Sequence, residues 1–448
     1  MKRILVFLCI SALVFTLASP VMAGGIDNKH NFSAEYIRTL NRNATTDSAD
    51  GVVYNPAGTV KMEDWFYVNL AGQYAYKDYA NTLGGVEYDS EEPDAVPGLF
   101  ALLTKDRWAG YFAFTIPCGG GSVDYEDGNA LTVGLSQDIM AGANFLANAA
   151  MMQANADAVA AGAPPFFTAF SPYDTIKDQW IEGEAYHLGV TLGGAFEIND
   201  IFSVSLGARY VDARREFKGS STIGASTGSA FPDQTNEVEL EETGNGWGGI
   251  VGVNIAPTEK LNIGIRYESV TQIDLETDEK TDTLNGSPIA PDGIVVDGAE
   301  RNRDLPGLIG LGISHQCTPT FRSEVNFTYY MNESTDWEDW PVSMGDETER
   351  ENGYDVGIAV EHAFTPQLKG SLGYMYTSVG IDPDDMSVNA PELDAHSVAG
   401  GFKWEAVPGL DINLGVLKTF YQDETTSAGV KLEKDVIIVA LGVQYKFW

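Results

Sequence analysis

Basic side chains are scarce enough in this chain that each is a candidate for a specific task. Its 448 residues hold 27 Lys and Arg against 64 Asp and Glu, a formal net charge of −37. Phosphate binding needs clustered positive charge, so nucleic acid is excluded as a partner. Arg209, Arg266 and Arg322 interleave with apolar neighbours such as Ala208, Tyr210, Ile265, Tyr267 and Phe321. In a strand that spacing puts all three on a polar face, and carrying the parity of Arg209 forward adds Arg215. Guanidinium groups on an enclosed face are suited to receiving a carboxylate. Other chemistry is poorly supported. Gly224-Ala-Ser226-Thr-Gly228 has nucleophile-elbow spacing but sits in a small-residue loop with no strand-to-helix turn around it, so no enzyme is read here. The five histidines are scattered without ligand spacing, and no metal or cofactor is expected.

The elements that would position those arginines alternate with a period of two from Trp65 onward. Phe202, Val204, Leu206, Ala208 and Tyr210 form one apolar face, and Leu261, Ile263, Ile265 and Tyr267 another. Strands are expected to start near 65, 96, 107, 180, 200, 236, 259, 301, 319, 350, 366, 394, 409 and 433, fourteen in all. Six connections are short, at 105–106, 199–200, 257–259, 318–319, 365–366 and 407–409. Seven are long, about 79–95, 126–179, 219–235, 277–300, 335–349, 381–393 and 422–432. That alternation is the plan of an up-and-down transmembrane barrel, with short turns in the periplasm and long loops outside. Ile437, Val439, Leu441, Val443, Tyr445 and Phe447 end the chain on an apolar, aromatic stripe like the signal read by the barrel-assembly machinery, with Trp448 one residue beyond it.

The N-terminus fits that location. Lys2 and Arg3, an apolar run from Ile4 to Leu17 and the small-residue site at Ala23 read as a secretory signal peptide over residues 1–23. After its removal only Cys118 and Cys317 remain, and whether they pair is left open. Residues 24–62 lack strand alternation and start on the periplasmic side, with a short helix expected over 33–40 capped by Ser33. Fourteen strands enclose a lumen that needs obstruction, so this segment is expected to fold inward as a plug ahead of a barrel over 63–448.

The run from Arg38 to Asp47, followed by Ala49-Asp-Gly-Val-Val-Tyr-Asn55-Pro56-Ala57-Gly58, closely resembles the N-terminal hatch of FadL-type long-chain fatty acid transporters. Further matches are Pro97-Gly-Leu-Phe100, Gly246-Trp-Gly-Gly249, Asp304-Leu-Pro306 and Pro391-Glu-Leu-Asp394, so the resemblance spans the mature chain. It implies an all-β, hatch-plugged, fourteen-stranded outer-membrane barrel that passively takes up hydrophobic molecules, long-chain fatty acids foremost. Uptake of aromatic or aliphatic hydrocarbons is the alternative, and a porin or structural barrel the reading from another class. The family's lateral opening at a kinked third strand points to Pro117, Gly119, Gly120 and Gly121, which by themselves read equally as a bulge or as a strand end.

The resemblance also points to Arg214 as a carboxylate ligand, although parity turns Arg214 outward and Arg215 inward. Between Asp138 and Phe170 an Ala-rich, helix-prone stretch carries Phe145, Leu146, Met151, Met152, Phe166 and Phe167. These suit either capture of an apolar ligand or packing on the barrel rim. Acidic clusters at 87–94, 336–339, 346–351 and 382–385 read as solvated loop charge or as sites for divalent cations shared with lipopolysaccharide. Nothing in the sequence requires more than a monomer.

Overall fold

In a computed structural model the structure describes residues 32–40, 42–165, 170–226, 231–288, 297–338 and 350–447. The expected signal peptide, Phe166, Phe167, Gly228 and Trp448 lie outside them. Fourteen antiparallel strands run in chain order around the wall. They are β1 (Phe66–Leu83), β2 (Asp94–Lys105), β3 (Trp108–Tyr125), β4 (Thr175–Glu197), β5 (Phe202–Gly224), β6 (Gln234–Thr258) and β7 (Leu261–Glu268). The second half comprises β8 (Gly307–Thr318), β9 (Phe321–Met331), β10 (Gly353–Ala363), β11 (Leu368–Ser378), β12 (Ala395–Val407), β13 (Leu410–Tyr421) and β14 (Lys431–Phe447). Pairing of β1 with β14, unbroken from Phe66↔Phe447 to Thr82↔Lys431, closes the barrel and removes both sheet edges.

The outward face is apolar, as hydrocarbon requires. Leu70, Leu192, Leu206, Leu372, Leu414 and Leu441 are all exposed at mid-height. Aromatic side chains border this band on both sides. Phe66, Trp108, Phe202, Phe402, Trp404 and Phe447 lie toward the short turns, and Tyr76, Trp247, Tyr267, Tyr374 and Phe420 toward the long loops. Two girdles around an apolar belt are the signature of a barrel seated in a bilayer.

All six short turns fall where the sequence puts them. The long connections hold more structure than expected. β4, β5 and β6 have 23, 23 and 25 residues, against the ~9–11 that a tilted strand needs to cross a bilayer. Half of the region expected as a loop over 219–235 is therefore strand. Likewise Asp274–Leu284, most of which falls in the loop expected over 277–300, pairs with β6 from Asn245↔Asp274 to Asn236↔Leu284. The helix-prone stretch forms α3 (Ala130–Ala160). Its cap is Asn129, whose Oδ1 accepts from the Leu131 and Thr132 amides at 3.0 and 3.2 Å.

Among the described residues before β1, those from Phe32 to Val60 lie inside the barrel. This segment comprises α1 (Ala34–Thr39), α2 (Gly51–Tyr54) and a 3-10 turn over Pro56–Lys61. Ser33 caps α1 as expected, accepting from the Tyr36 amide at 3.0 Å while donating to Asp50 Oδ2 at 2.8 Å. Glycines of the wall explain how the plug fits so closely. A Cβ on Gly264 would stand 2.0 Å from the Asn43 carbonyl oxygen, and one on Gly373 2.5 Å from that of Thr39. At these inner-face glycines, plug backbone meets wall backbone.

Candidate functional site

The plug is held by charge as well as by shape. Arg38 reaches Glu361 of β10 at 2.5 Å, and also donates to Asn413 Oδ1 and Ser371 Oγ, each at 3.1 Å. Arg42 sits between Asp47 at 2.6 Å and Asp50 at 3.0 Å. Burial alone would raise the Asp47 carboxyl, but Arg42 and Arg322 outweigh it and hold the group well below the usual range. Glu35 is in the opposite situation. Its Oε1 accepts from Asn69 and Asn413 at 2.7 and 2.8 Å. Burial, reinforced by Asp50, pushes its carboxyl up to about 7 against the pull of Arg42 and Arg38.

The Asn-Pro-Ala tripeptide is a seating device. Asn55 donates to the Thr45 carbonyl at 3.0 Å and to Asn254 Oδ1 of β6 at 2.7 Å. Pro56 starts the 3-10 turn, where a missing N–H costs nothing. The Ala57 carbonyl accepts from Ser203 of β5 at 2.6 Å.

Of the five candidate arginines, four point inward and one does not. Arg209 meets Glu268 at 2.7 Å, and Arg266 meets the same carboxylate at 3.1 Å while donating to the Val53 carbonyl of the plug. Arg215 faces Glu242 at 3.2 Å, a carboxylate shared with Arg301. Arg214 is a correction to the resemblance. The β5–β6 ladder runs through it without a shift, so parity holds and its side chain turns outward, 62% exposed, toward Glu241 at 3.0 Å. Arg322 turns inward and serves the plug, 3.8 Å from Asp47 and 3.3 Å from Glu324.

At Pro117–Gly121 the strand does not end; it bulges. Pairing of β3 with β4 passes from Thr115↔Gly189 to Cys118↔His187 to Gly121↔Ala185, so six steps on β3 match four on β4. The two surplus residues must leave the plane of the wall. Gly119 and Gly121 take φ of 96° and 87°, a region where side chains are strained. On its other side the backbone ladder of β3 is cut short. The β2–β3 ladder runs from Lys105↔Trp108 to Leu99↔Phe114 and stops, although β2 continues to Asp94 along β1.

Behind this unpaired stretch lies the plug. A Cβ on Gly98 would approach the Phe32 carbonyl to 2.5 Å. Phe32 in turn stacks on Tyr54 at 6.1 Å, and Tyr54 on Tyr36 at 5.4 Å. The inner wall beside the bulge is apolar, with Cys118, Val211, Ala213, Ile273, Leu275 and Leu305 in one cluster. Cys118 is buried there while Cys317 is exposed at the β8–β9 turn, so the two do not pair with each other.

On α3, Leu135, Ile139 and Ala143 pack on Tyr173, Ile223, Val238 and Leu240 at the rim. Phe145, Leu146 and Met152 remain exposed, and Met151 is half-buried. The helix thus both packs and presents an apolar surface. Ser226 donates to Asp174 Oδ2 at 2.8 Å; the rest of the elbow pattern, Thr227 and Gly228, lies outside the described residues. The pairing of Asp94 and Lys77 at the bulge, and the anchoring of the plug by Arg38 on Glu361, escaped sequence reasoning. Partners on different strands, 17 residues apart for Lys77 and Asp94, or on plug and wall, 323 apart for Arg38 and Glu361, leave no local spacing to read.

A family described as outer membrane protein transport protein (OMPP1/FadL/TodX) matches residues 15–447. No individual curated protein sequence matches the chain. Among solved structures, a FadL homologue of Pseudomonas aeruginosa superposes with a TM-score of 0.62 at 15% identity, covering 97% of this chain and 100% of its own. The toluene transporter TbuX of Ralstonia pickettii gives 0.63 at 13% identity, covering 94% and 100%. TodX, the toluene transporter of P. putida, gives 0.60 at 12%, covering 94% and 99%. At these identities the structural likeness carries the fold.

Proposed function

Because the chain belongs to the OMPP1/FadL/TodX family of outer-membrane transport proteins, we propose that it moves hydrophobic molecules, long-chain fatty acids foremost, passively through the lumen and out sideways between β2 and β3. One observation carries this reading: the β2–β3 ladder stops at Leu99↔Phe114 while β3 bulges for two residues beyond it. A wall unpaired at that height is costly in a bilayer unless something uses it. Lateral release suits an apolar ligand, which gains ~0.8 kcal/mol per buried CH₂ in hydrocarbon.

In this scheme Phe145, Leu146, Met151 and Met152 of α3 capture the ligand; Phe166 and Phe167, the other sequence candidates for that task, lie outside the described residues. Arg209 and Arg215 receive a carboxylate head, and the plug, seated through Asn55, Pro56 and Ala57, shifts to clear the path past Phe32. Pro117 and Gly119 to Gly121 form the gate. The apolar stripe of β14 is the surface offered to the barrel-assembly machinery, and the acidic outer loops face lipopolysaccharide. Hydrocarbon uptake is the second reading. It is favoured by the carboxylates already facing both arginines, Glu268 for Arg209 and Glu242 for Arg215.

Binding of radiolabelled oleate and toluene to the purified barrel, measured on the parent and on Arg215→Gln, tests the ligand. Saturable oleate binding weakened by Arg215→Gln supports the fatty-acid reading. Toluene binding indifferent to that change moves the assignment to hydrocarbons. Binding of neither, by a folded barrel, would leave a porin or a structural role.

A further inference from the structure

The unpaired stretch between β2 and β3 has a lower and an upper limit, and they are built differently. Its lower limit is a backbone rung, Leu99↔Phe114. Its upper limit is made of side chains. Asp94, the first residue of β2, accepts from the Ser122 amide at 3.2 Å and from Ser122 Oγ at 3.2 Å. Lys77 of β1 pairs with the same carboxylate and donates to the Ser122 carbonyl at 2.8 Å. Tyr186 of β4 reaches across the bulge to donate to Asp94 Oδ1 at 3.2 Å. Four strands thus converge on one carboxylate, and the side chains of Lys77 and Asp94 are each only 5% exposed.

The register shows how much this bridge has to hold. From the Leu99↔Phe114 rung to the bridge, β2 advances five residues and β3 eight. Five residues of strand span about 17 Å, and over that height the longer chain of β3 must bow away from β2. The bridge ends the bow by returning β3 to β2 at Ser122. Gly121 shows that the contact is close, since a Cβ there would fall 1.8 Å from Asp94 Oδ2. Above the bridge, the Asp124 amide donates to Ser90 Oγ at 2.8 Å, tying β3 to the short strand Val86–Ser90 that pairs with β1.

We propose that the Lys77–Asp94–Ser122 bridge is the lintel of the lateral opening, and that Asp94 is the residue that determines how bulky an apolar molecule can leave. This rests on the lateral-exit reading above. A paired carboxylate buried among four strands is a stiff spacer, because removing one partner strands the other's charge. It therefore holds the opening at one height, passing slender molecules and retaining wide ones. Lys77 and Ser122 are positioning residues that act through Asp94.

The test compares uptake of n-dodecane and of the bulkier triisopropylbenzene by cells expressing the full chain. Folded protein is quantified in each case by its heat-modifiable gel shift. Asp94→Ala and Lys77→Met are expected to raise triisopropylbenzene uptake relative to dodecane by about tenfold, the scale of steric discrimination in an apolar site. Asp94→Asn, which keeps the side chain's shape and its Ser122 contacts, is expected to fall between them and the parent. It also serves as the readout should the other variants not fold. An unchanged ratio, or an equal change for both probes, overturns the proposal. Deleting Gly119 and Gly120 separates this from the exit itself. If that deletion leaves both rates at the parent value, the lateral exit fails. If it stops both while Asp94→Ala keeps the parent ratio, the exit stands and the lintel falls.

Discussion

Two seams of one wall are built in opposite ways. Where β1 meets β14, seventeen consecutive residue pairs run from Phe66↔Phe447 to Thr82↔Lys431 without a shift. Where β2 meets β3, seven pairs suffice before the ladder stops. The first seam joins the two ends of the chain. With no covalent turn to hold it, all its strength must come from backbone hydrogen bonds and apolar cross-strand contacts. A turn ties the second at 105–108, so its ladder can be cut short without the barrel opening. The contrast teaches that a membrane barrel can spare hydrogen bonds only beside a covalent connection, and only where side chains and plug replace them.

Deleting Gly119 and Gly120 is the severest test of that contrast. It would match β3 to β4 residue for residue and let the second seam zip further. Ligand uptake is then expected to drop by at least about tenfold with the barrel still folded by gel shift, and retained uptake would mean that the interrupted ladder is incidental. Arg38→Ala attacks what stands behind the open seam. It leaves Glu361 buried without its closest cation, and a cost of ~3–5 kcal/mol is expected on plug docking, read as faster proteolysis of the segment before β1. Unchanged proteolysis would show that shape alone seats the plug.

At the closed seam, Leu441→Arg puts a charge on the lipid face opposite Gly72 and Leu414. A loss of ~2–4 kcal/mol is expected in denaturant titration of the barrel in bilayers, whereas a negligible loss would place Leu441 outside the hydrocarbon. Protons bear on the plug more gently. Glu35 has its folded pKa raised from 4.5 to about 7, so the folded plug binds the extra proton. Docking is therefore strongest below about 4.5 and weakens as pH rises to about 7. Proteolysis of the plug should quicken across that window in the parent and stay flat in Glu35→Gln.

The smallest effect is expected furthest from both seams. Phe145→Ser with Met152→Ser removes exposed apolar surface from α3 and should change stability by less than ~0.5 kcal/mol. Ligand capture should slow a few-fold at low concentration, and an unchanged initial rate would assign that surface to another task.

Local pattern was enough for much of this molecule. Fourteen alternating segments, short turns at residues such as 199–200 and 407–409, and an aromatic β14 all express periods and turn chemistry that neighbouring residues carry among themselves. The cap at Ser33 and the inward parity of Arg209 and Arg215 are local in the same sense. The excess length of β4 to β6 was not legible, because polar residues such as Asp178 and Ser221 read as loop unless a neighbouring strand is known to pair with them. Nor was the bulge, since Pro117 and the glycines permit either a strand end or a detour. Only the pairing of Cys118 with His187 and of Gly121 with Ala185 decides between those two. The roles of Asp94, Glu361 and the wall glycines were decided by closure of the barrel around the plug. Closure sets Lys77, Asp94, Ser122 and Tyr186 around one carboxylate, and lays Thr39 against Gly373 and Arg38 against Glu361. A buried charge or a missing Cβ gains its meaning from whatever is brought beside it, and here that neighbour comes from an adjoining strand or from the plug.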